Sequence, residues 1–312
     1  MSVRQAPPWG TGLVEVGPNI YSYLQFDGSW GISNTGFLAG DDAVLVIDAT
    51  LVPDMARNFI AEMRRVTDKP WRHLINTHSH PDHTGGNRLF EGAEIIAHEL
   101  CREEMARAPA ARSGSGPPRA LGPIPMTEGI ERMFATIAAD NGRHIPLPST
   151  TFGTQAGRAV GLADVTETMT LRYGKTEARL LYYGPAHTFG DTMIYFPDHK
   201  LLFAGDVGFF YSTPLAGGGK VGSWLRVIDK VNELDVETIV PGHGPPGGKR
   251  ELDDVREYLE FVRARAREAY DAGLTAPQAV EKLDLGPYAK WLDAERIHAN
   301  VAVLYREFVG EI

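Results

Sequence analysis

Short apolar runs broken by glycine, proline and polar residues fill the first three quarters of the chain, and helical stripes fill the rest. Residues 19–26 and 36–39 predict strands on either side of a Gly/Ser/Asn turn. Residues 43–48 read Ala-Val-Leu-Val-Ile-Asp, an unbroken apolar run of the kind that a strand covered on both faces needs. Pro53 stands where a helix can begin, and Met55, Phe59, Ile60 and Met63 follow at helical spacing. Residues 73–77 form the next apolar strand. Further strands are predicted over 169–173, 178–183, 192–196, 200–204 and 238–240. A helix over 223–234 carries Trp224, Val227, Ile228, Val231 and Leu234 on one stripe, and 251–272 is the longest helical stretch. A terminal helix bears Trp291, Ile297, Val301, Leu304 and Phe308.

Residues 105–162 interrupt this rhythm. They hold Pro109, Pro117, Pro118, Pro123, Pro125, Pro146 and Pro148, with one helix candidate over 128–139 that places Ile130, Met133, Phe134 and Ile137 on one side. So long a stretch with little pattern is read as a lid, an oligomer contact or a disordered loop. The expected organisation is a catalytic domain over 1–248 that includes this insertion, with a helical extension over 249–312 packed on it. No internal repeat is present.

Four of the predicted strands lead through small residues to a metal-seeking side chain. The densest case is Thr77-His78-Ser79-His80-Pro81-Asp82-His83, and the others end at His187, Asp206 and His243. In an extended chain His78, His80 and Asp82 point the same way, whereas on a helix His78 and His80 would face nearly opposite sides. Pro81 lets the chain turn, so that Asp82 and His83 can address a second point, and Gly85 and Gly86 allow close backbone approach to whatever is bound. Seven imidazole and carboxylate ligands suffice for two divalent metals with room for water, the equipment of a hydrolase.

Bulk properties narrow the alternatives. The 312 residues are 43% hydrophobic and 23% charged, as in an ordinary globular protein, with a formal net charge of −9. Lysine and arginine are scattered, which argues against a nucleic-acid partner. The one cysteine, Cys101, excludes an internal disulfide and an all-cysteine zinc site, and is expected to pack in a helix. No apolar run is long enough to cross a bilayer, and the start lacks an apolar signal segment, so a cytoplasmic protein is expected. His73, His98, His144, His199 and His298 fit no ligand pattern, and Lys220 is expected to be a solvated loop lysine.

The segment His78-Ser79-His80-Pro81-Asp82-His83, followed in order by His187, Asp206 and His243, resembles the metallo-β-lactamase fold superfamily over roughly residues 20–244. The resemblance implies an α/β fold, a four-layer αββα sandwich with the metals at one edge of the two sheets. It implies His78, His80 and His187 around a first metal, Asp82, His83 and His243 around a second, and Asp206 bridging both. Asp48, at its strand end, would fix a loop near the site or simply form a turn. A cysteine or serine stands at the Asp206 position in many true β-lactamases, so the aspartate is closer to the thioesterases, lactonases and esterases of this fold.

A hydrolase of a small carboxylic ester, lactone, thioester or cyclic amide is therefore expected, with two divalent metal ions. Zinc is the leading candidate; iron and manganese are chemically admissible. Asp82 is the candidate to orient the attacking water and pass its proton. Phe209, Phe210 and Tyr211 are expected either at the mouth, with Tyr211 as a hydrogen-bond donor to a developing oxyanion, or packed under the lid. The alternatives are a mononuclear iron oxygenase of persulfide-dioxygenase type, a phosphodiesterase or nuclease, and a non-catalytic binding protein. The small-molecule substrate and any homo-oligomer are left unspecified by the sequence.

Overall fold

A computed structural model describes residues 4–112, 124–140, 145–154 and 165–312. Strand β4 (Val44–Ile47) shows how its layers arise. Successive side chains of a strand point to opposite faces, and here Leu45 and Ile47 enter one apolar cluster while Val44 and Val46 enter another. None of the four is more than 2% exposed. The continuous apolar run is thus the signature of a strand with a layer on each side.

Among the described residues there are two sheets. The first contains, in spatial order, β1 (Gly12–Gly17), β2 (Ile20–Leu24), β3 (Thr35–Ala39), β4, β5 (Trp71–Ile75), β6 (Glu94–His98) and β7 (Thr150–Phe152). Its pairings are antiparallel as far as β4 and parallel beyond it. The second runs β12 (Thr238–His243), β11 (Leu201–Phe209), β10 (Met193–Phe196), β9 (Thr176–Tyr182), β8 (Glu167–Tyr173). Here β11 and β12 are parallel and the remaining pairs antiparallel.

Leu45, Ile75 and Ile96 of the first sheet meet Leu180, Ile194 and Phe203 of the second in the inner core. Helix α1 (Pro53–Arg64) lays Phe59 and Met63 on the outer face of the first sheet. On the far side, α5 (Val221–Glu233), α6 (Lys249–Asp271) and α8 (Ile297–Phe308) cover Leu181, Leu202 and Ile239. The result is the αββα sandwich expected above. Trp224 of α5 is fully buried in that outer layer, and its indole N–H donates to Val207 O at 3.1 Å. Truncating a tryptophan so placed to alanine costs about 3–5 kcal/mol.

A polar bolt joins the two sheets. The His98 ring stacks on Tyr182 at 3.7 Å between centroids, and its Nε2–H donates to Glu167 at 2.8 Å. His98 is therefore an inter-sheet tie. Other expectations need adjustment. Residues 105–112 continue helix α3 (Glu99–Arg112), and Thr150–Phe152 forms strand β7, so the proline-rich segment is more regular than its composition indicates. Helix α4 (Glu128–Ala139) has the predicted bounds, with Thr127 capping its N-terminus. Strand β11 runs on to Phe209 rather than stopping at residue 204. Cys101 is buried in α3. The 113–118 stretch and His144 lie outside the described residues.

Candidate metal centre

Strand ends at one edge of the sandwich bring all seven predicted ligands together. His78, His80, His187 and Asp206 form one group and Asp82, His83 and His243 another, with the offered ligand atoms of each group within 4.8 Å of one another. In the first group, His187 Nε2 lies 2.8 Å from His80 Nδ1 and 3.1 Å from Asp206 Oδ2. In the second, His243 Nε2 lies 3.4 Å from Asp82 Oδ2. Asp206 stands between them, 3.1 Å from His83 Nε2 through Oδ1 and 3.7 Å from His78 Nε2 through Oδ2.

Local folding differs in one respect from the extended reading of the histidine motif. Strand β5 ends at Ile75, and Pro81–Thr84 forms a one-turn helix, α2. Asp82 and His83 therefore reach the second group from a helical turn, because Pro81 has the fixed φ suited to a first helical position. The glycines after it approach backbone, not a ligand: a Cβ on Gly86 would fall 2.2 Å from Ala49 O. This contact seats α2 against the loop after β4, where Asp48 and Thr50 have φ of 60° and 59°. Positive φ at a β-branched threonine is a costly conformation that surrounding contacts must enforce.

Each imidazole except His80 is held from behind. His187 Nδ1–H donates to Leu215 O, and His243 Nδ1–H donates to Gly28 O at 3.0 Å. Asp48 Oδ2 accepts from His83 Nδ1–H and from the Thr77 hydroxyl, both at 2.8 Å, while its Oδ1 accepts from Thr77 N–H. The Thr77 oxygen in turn lies 3.1 Å from His78 Nδ1. With the rear nitrogen acting as donor, the Nε2 lone pair is the one turned inward, the arrangement by which outer partners orient metal-binding histidines. Asp48 is thus a positioning carboxylate for two of the seven.

Charge in the cluster is unbalanced toward the carboxylates. Burial opposes charge on His83, yet Asp206, Asp48 and Asp82 outweigh it and hold its pKa well above the ordinary value. The same contest raises His243 to about 9, through Asp206 and Asp82 against burial. Burial dominates at His187, which falls to about 3, and at His78, which is pushed well below its usual range. Burial also works against ionised Asp206, but four histidines, His243 first, keep its pKa well below normal. Such a site attracts positive charge.

Fit to cations rests on the atoms left over. Among the described residues, His78 Nε2, His83 Nε2 and Asp206 Oδ1 are buried and make no hydrogen bond of normal geometry, the last two facing each other at 3.1 Å, although an unsatisfied buried polar atom costs about 1–3 kcal/mol. They point into the shared space, and their chemistry, imidazole nitrogen and carboxylate oxygen, is that of zinc, iron or manganese ligands. The seven residues fit a dinuclear metal site. His80 and Asp82 are its half-buried members, so the cluster opens to solvent on their side.

The aromatic residues after Asp206 and Lys220 take the following places. Phe209 and Phe210 are 1% exposed, and Phe209 stacks on His243 with 4.9 Å between centroids, so Phe209 packs against the cluster and Phe210 in the apolar layer of the second sheet. The Tyr211 hydroxyl donates to Glu251 Oε1 at 3.3 Å, on α6, a geometry that gives no support to an oxyanion role. Lys220 donates its backbone N–H to Ala186 O, beside His187. Two supporting carboxylates were not anticipated. Glu104 of α3 accepts from Ser79 Oγ at 2.9 Å and from Phe189 N–H at 3.2 Å, tying the His78–His80 loop to the His187 loop. Asp191 closes the His187 loop by accepting from Ala186 N–H and Thr188 N–H, and burial first of all raises its carboxyl to about 7.

Two facing sheets with helices outside, and a histidine–aspartate cluster where their strands end, define a metal-binding αββα scaffold. The chain belongs to the metallo-beta-lactamase superfamily, whose family model matches residues 28–243. It is 24% identical over 264 residues to a linear primary-alkylsulfatase from Pseudomonas sp., covering 79% of this chain and 49% of that protein. It is 27% identical over 248 residues to the alpha subunit of 2,4-dinitroanisole O-demethylase from Nocardioides sp., covering 78% of this chain and 62% of that one. The chain thus spans about half to three fifths of the length of these curated relatives. Among solved structures, a stereoselective inverting sec-alkylsulfatase from Pseudomonas sp. superposes with a TM-score of 0.69 at 17% identity, over 97% of this chain and 51% of that one. A metallo-beta-lactamase from Pontibacter korlensis gives a TM-score of 0.56 at 17% identity, over 80% of this chain and 99% of that one.

Proposed function

We propose that the chain is a metal-dependent hydrolase that holds two divalent cations, zinc first among them, and cleaves a small carboxylic ester, lactone, thioester or cyclic amide. The observation that carries this reading is the pair of donor groups with Asp206 between them, three of whose buried atoms make no hydrogen bond of normal geometry among the described residues. His78, His80 and His187 would hold one cation, Asp82, His83 and His243 the other, and Asp206 both. Bound there, two such cations lower the pKa of water and polarise the electrophile.

The protein groups supply the rest. Asp82 Oδ2, beside His243 and His83, is kept ionised by those two imidazoles against the opposing effect of burial. With its side chain 14% exposed against 3% for Asp206, Asp82 is the carboxylate placed to take a proton from the attacking water and exchange it with solvent. Asp206, enclosed by four histidines, has no such path and acts as a fixed negative wedge. A second full donor group supports the hydrolase over a mononuclear iron oxygenase.

The named relatives widen the substrate class, since an alkylsulfatase and an O-demethylase belong to it by description. Alkyl sulfates and aryl methyl ethers therefore join esters, lactones, thioesters and β-lactams in the panel to be screened. The test pairs that panel with metal analysis of Asp82→Ala and Asp206→Ala. Both variants should lose turnover, and Asp206→Ala should also lose metal. Full turnover in either one refutes the assignment. Residues 249–312 are read as an extension of the same domain, supported by the shared apolar layer of α5, α6 and α8.

A further inference from the structure

We propose that Asn300, in the first turn of α8, is a positioning residue for His187, acting through the loop between β11 and α5. The inference rests on the reading of His187 as a metal ligand. The His187 ring is held by a single backbone acceptor, Leu215 O. Leu215 lies outside any strand or helix, so its carbonyl is only as well placed as the loop around it. That loop is bracketed by one side-chain amide. Asn300 Oδ1 accepts from Ala216 N–H, and Asn300 Nδ2 donates to Pro214 O, both at 2.8 Å, so the residues on either side of Leu215 are clamped together.

Orientation of the amide is itself fixed. The second Nδ2–H donates to Tyr258 OH at 3.0 Å, on α6, so a flipped amide would set its NH2 against Ala216 N–H. Asn300 is 1% exposed, on a helix whose other buried side chains include Ile297, Val301, Val303 and Leu304. A carboxamide in such company is tolerated only because its three bonds are made. Neighbouring anchors come from the same segment. Arg296 donates to Thr213 O, Leu292 O accepts from Thr213 N–H, and the Glu307 carboxylate caps Val221 N–H and Gly222 N–H at the start of α5. The chain from 292 to 307 thus forms the rear wall that sets the His187 imidazole.

Asn300→Asp preserves the shape of the clamp but puts an acceptor against Pro214 O. Full-length protein loaded with zinc, and separately with cobalt, is titrated with a chromophoric chelator to give the two dissociation constants. Val303→Ala, on the same helix, serves as a control that thins the core without touching the clamp. Asn300→Asp should weaken one of the two metals by about 10–100-fold and alter the cobalt visible spectrum. Val303→Ala should lower the melting temperature and leave both constants and the spectrum as in wild type. Asn300→Ser, smaller and still polar, gives the same reading if the aspartate variant does not fold. Wild-type constants in the Asn300 variants overturn the proposal, as does equal weakening of both metals in all variants in step with lost stability. A wild-type protein that binds no metal overturns the underlying site reading, and is told apart by failing before any variant is compared.

Discussion

Replacing Asp48 with asparagine should loosen the centre without touching a ligand. Oδ2 of Asp48 serves two donors, His83 Nδ1–H and the Thr77 hydroxyl, and Oδ1 serves Thr77 N–H. An asparagine has one acceptor oxygen. If that oxygen takes the Oδ1 position, the NH2 faces the imidazole and the hydroxyl; if it flips, the NH2 faces the backbone N–H. The first orientation leaves two buried donors without an acceptor and the second leaves one, at about 1–3 kcal/mol each. In the first orientation His83 relieves the conflict by turning or changing tautomer, which removes its Nε2 lone pair from the cluster. Loss of such an outer partner typically lowers metal affinity about 10–100-fold, or about 1.4–2.7 kcal/mol. The metal held by Asp82, His83 and His243 should bear most of this. His78, reached only through Thr77, should change less. Chelator competition on wild type and Asp48→Asn reads both constants. Affinities within about twofold of wild type at both metals would refute the idea that Asp48 sets the ring orientation.

Further predictions follow from close contacts and from burial. In Gly242→Ala the new Cβ would fall 1.9 Å from Asp206 Oδ1, so Asp206 or β12 must shift. A displacement of that order should lower kcat/KM about 100-fold, and near-normal turnover would show that Asp206 need not be held where it stands. His98 titrates below its ordinary pKa, first because it is buried and despite its bond to Glu167. Its neutral form therefore favours the fold above about pH 6.5, and that contribution is lost as pH falls, by up to about 1.4 kcal/mol per unit. Guanidinium melts of wild type and His98→Gln should converge between pH 7.5 and 5.5, and parallel curves would contradict the tie.

Some of this was legible in the chain and some could not be. The ligand set stood out because six residues from His78 to His83 carry four of its members, and each remaining member follows a short apolar strand. Core layers were readable in β4 and in the stripe of α5, where periodicity and burial agree. Helix α3 was obscured by Pro109, which ordinarily breaks a helix interior, although the helix runs to Arg112. The short strand β6, with one charged and one histidine end, gave too few apolar positions to stand out. The supports of the centre were hidden for a different reason. Leu215 O and Gly28 O are backbone atoms, which no residue type announces. Glu104 and Asn300 act across folds of the chain, and nothing near them in sequence marks their partners, whereas Asp191 bonds within its own loop, to Ala186 and Thr188.

The central claim is that two cations belong in this cluster, and elemental analysis of protein purified without added metal tests it most directly. The account predicts close to two equivalents of a divalent metal per chain in wild type, falling by at least one in Asp206→Ala. A metal-free wild type that cannot be loaded, or one whose content is indifferent to Asp206, would contradict it.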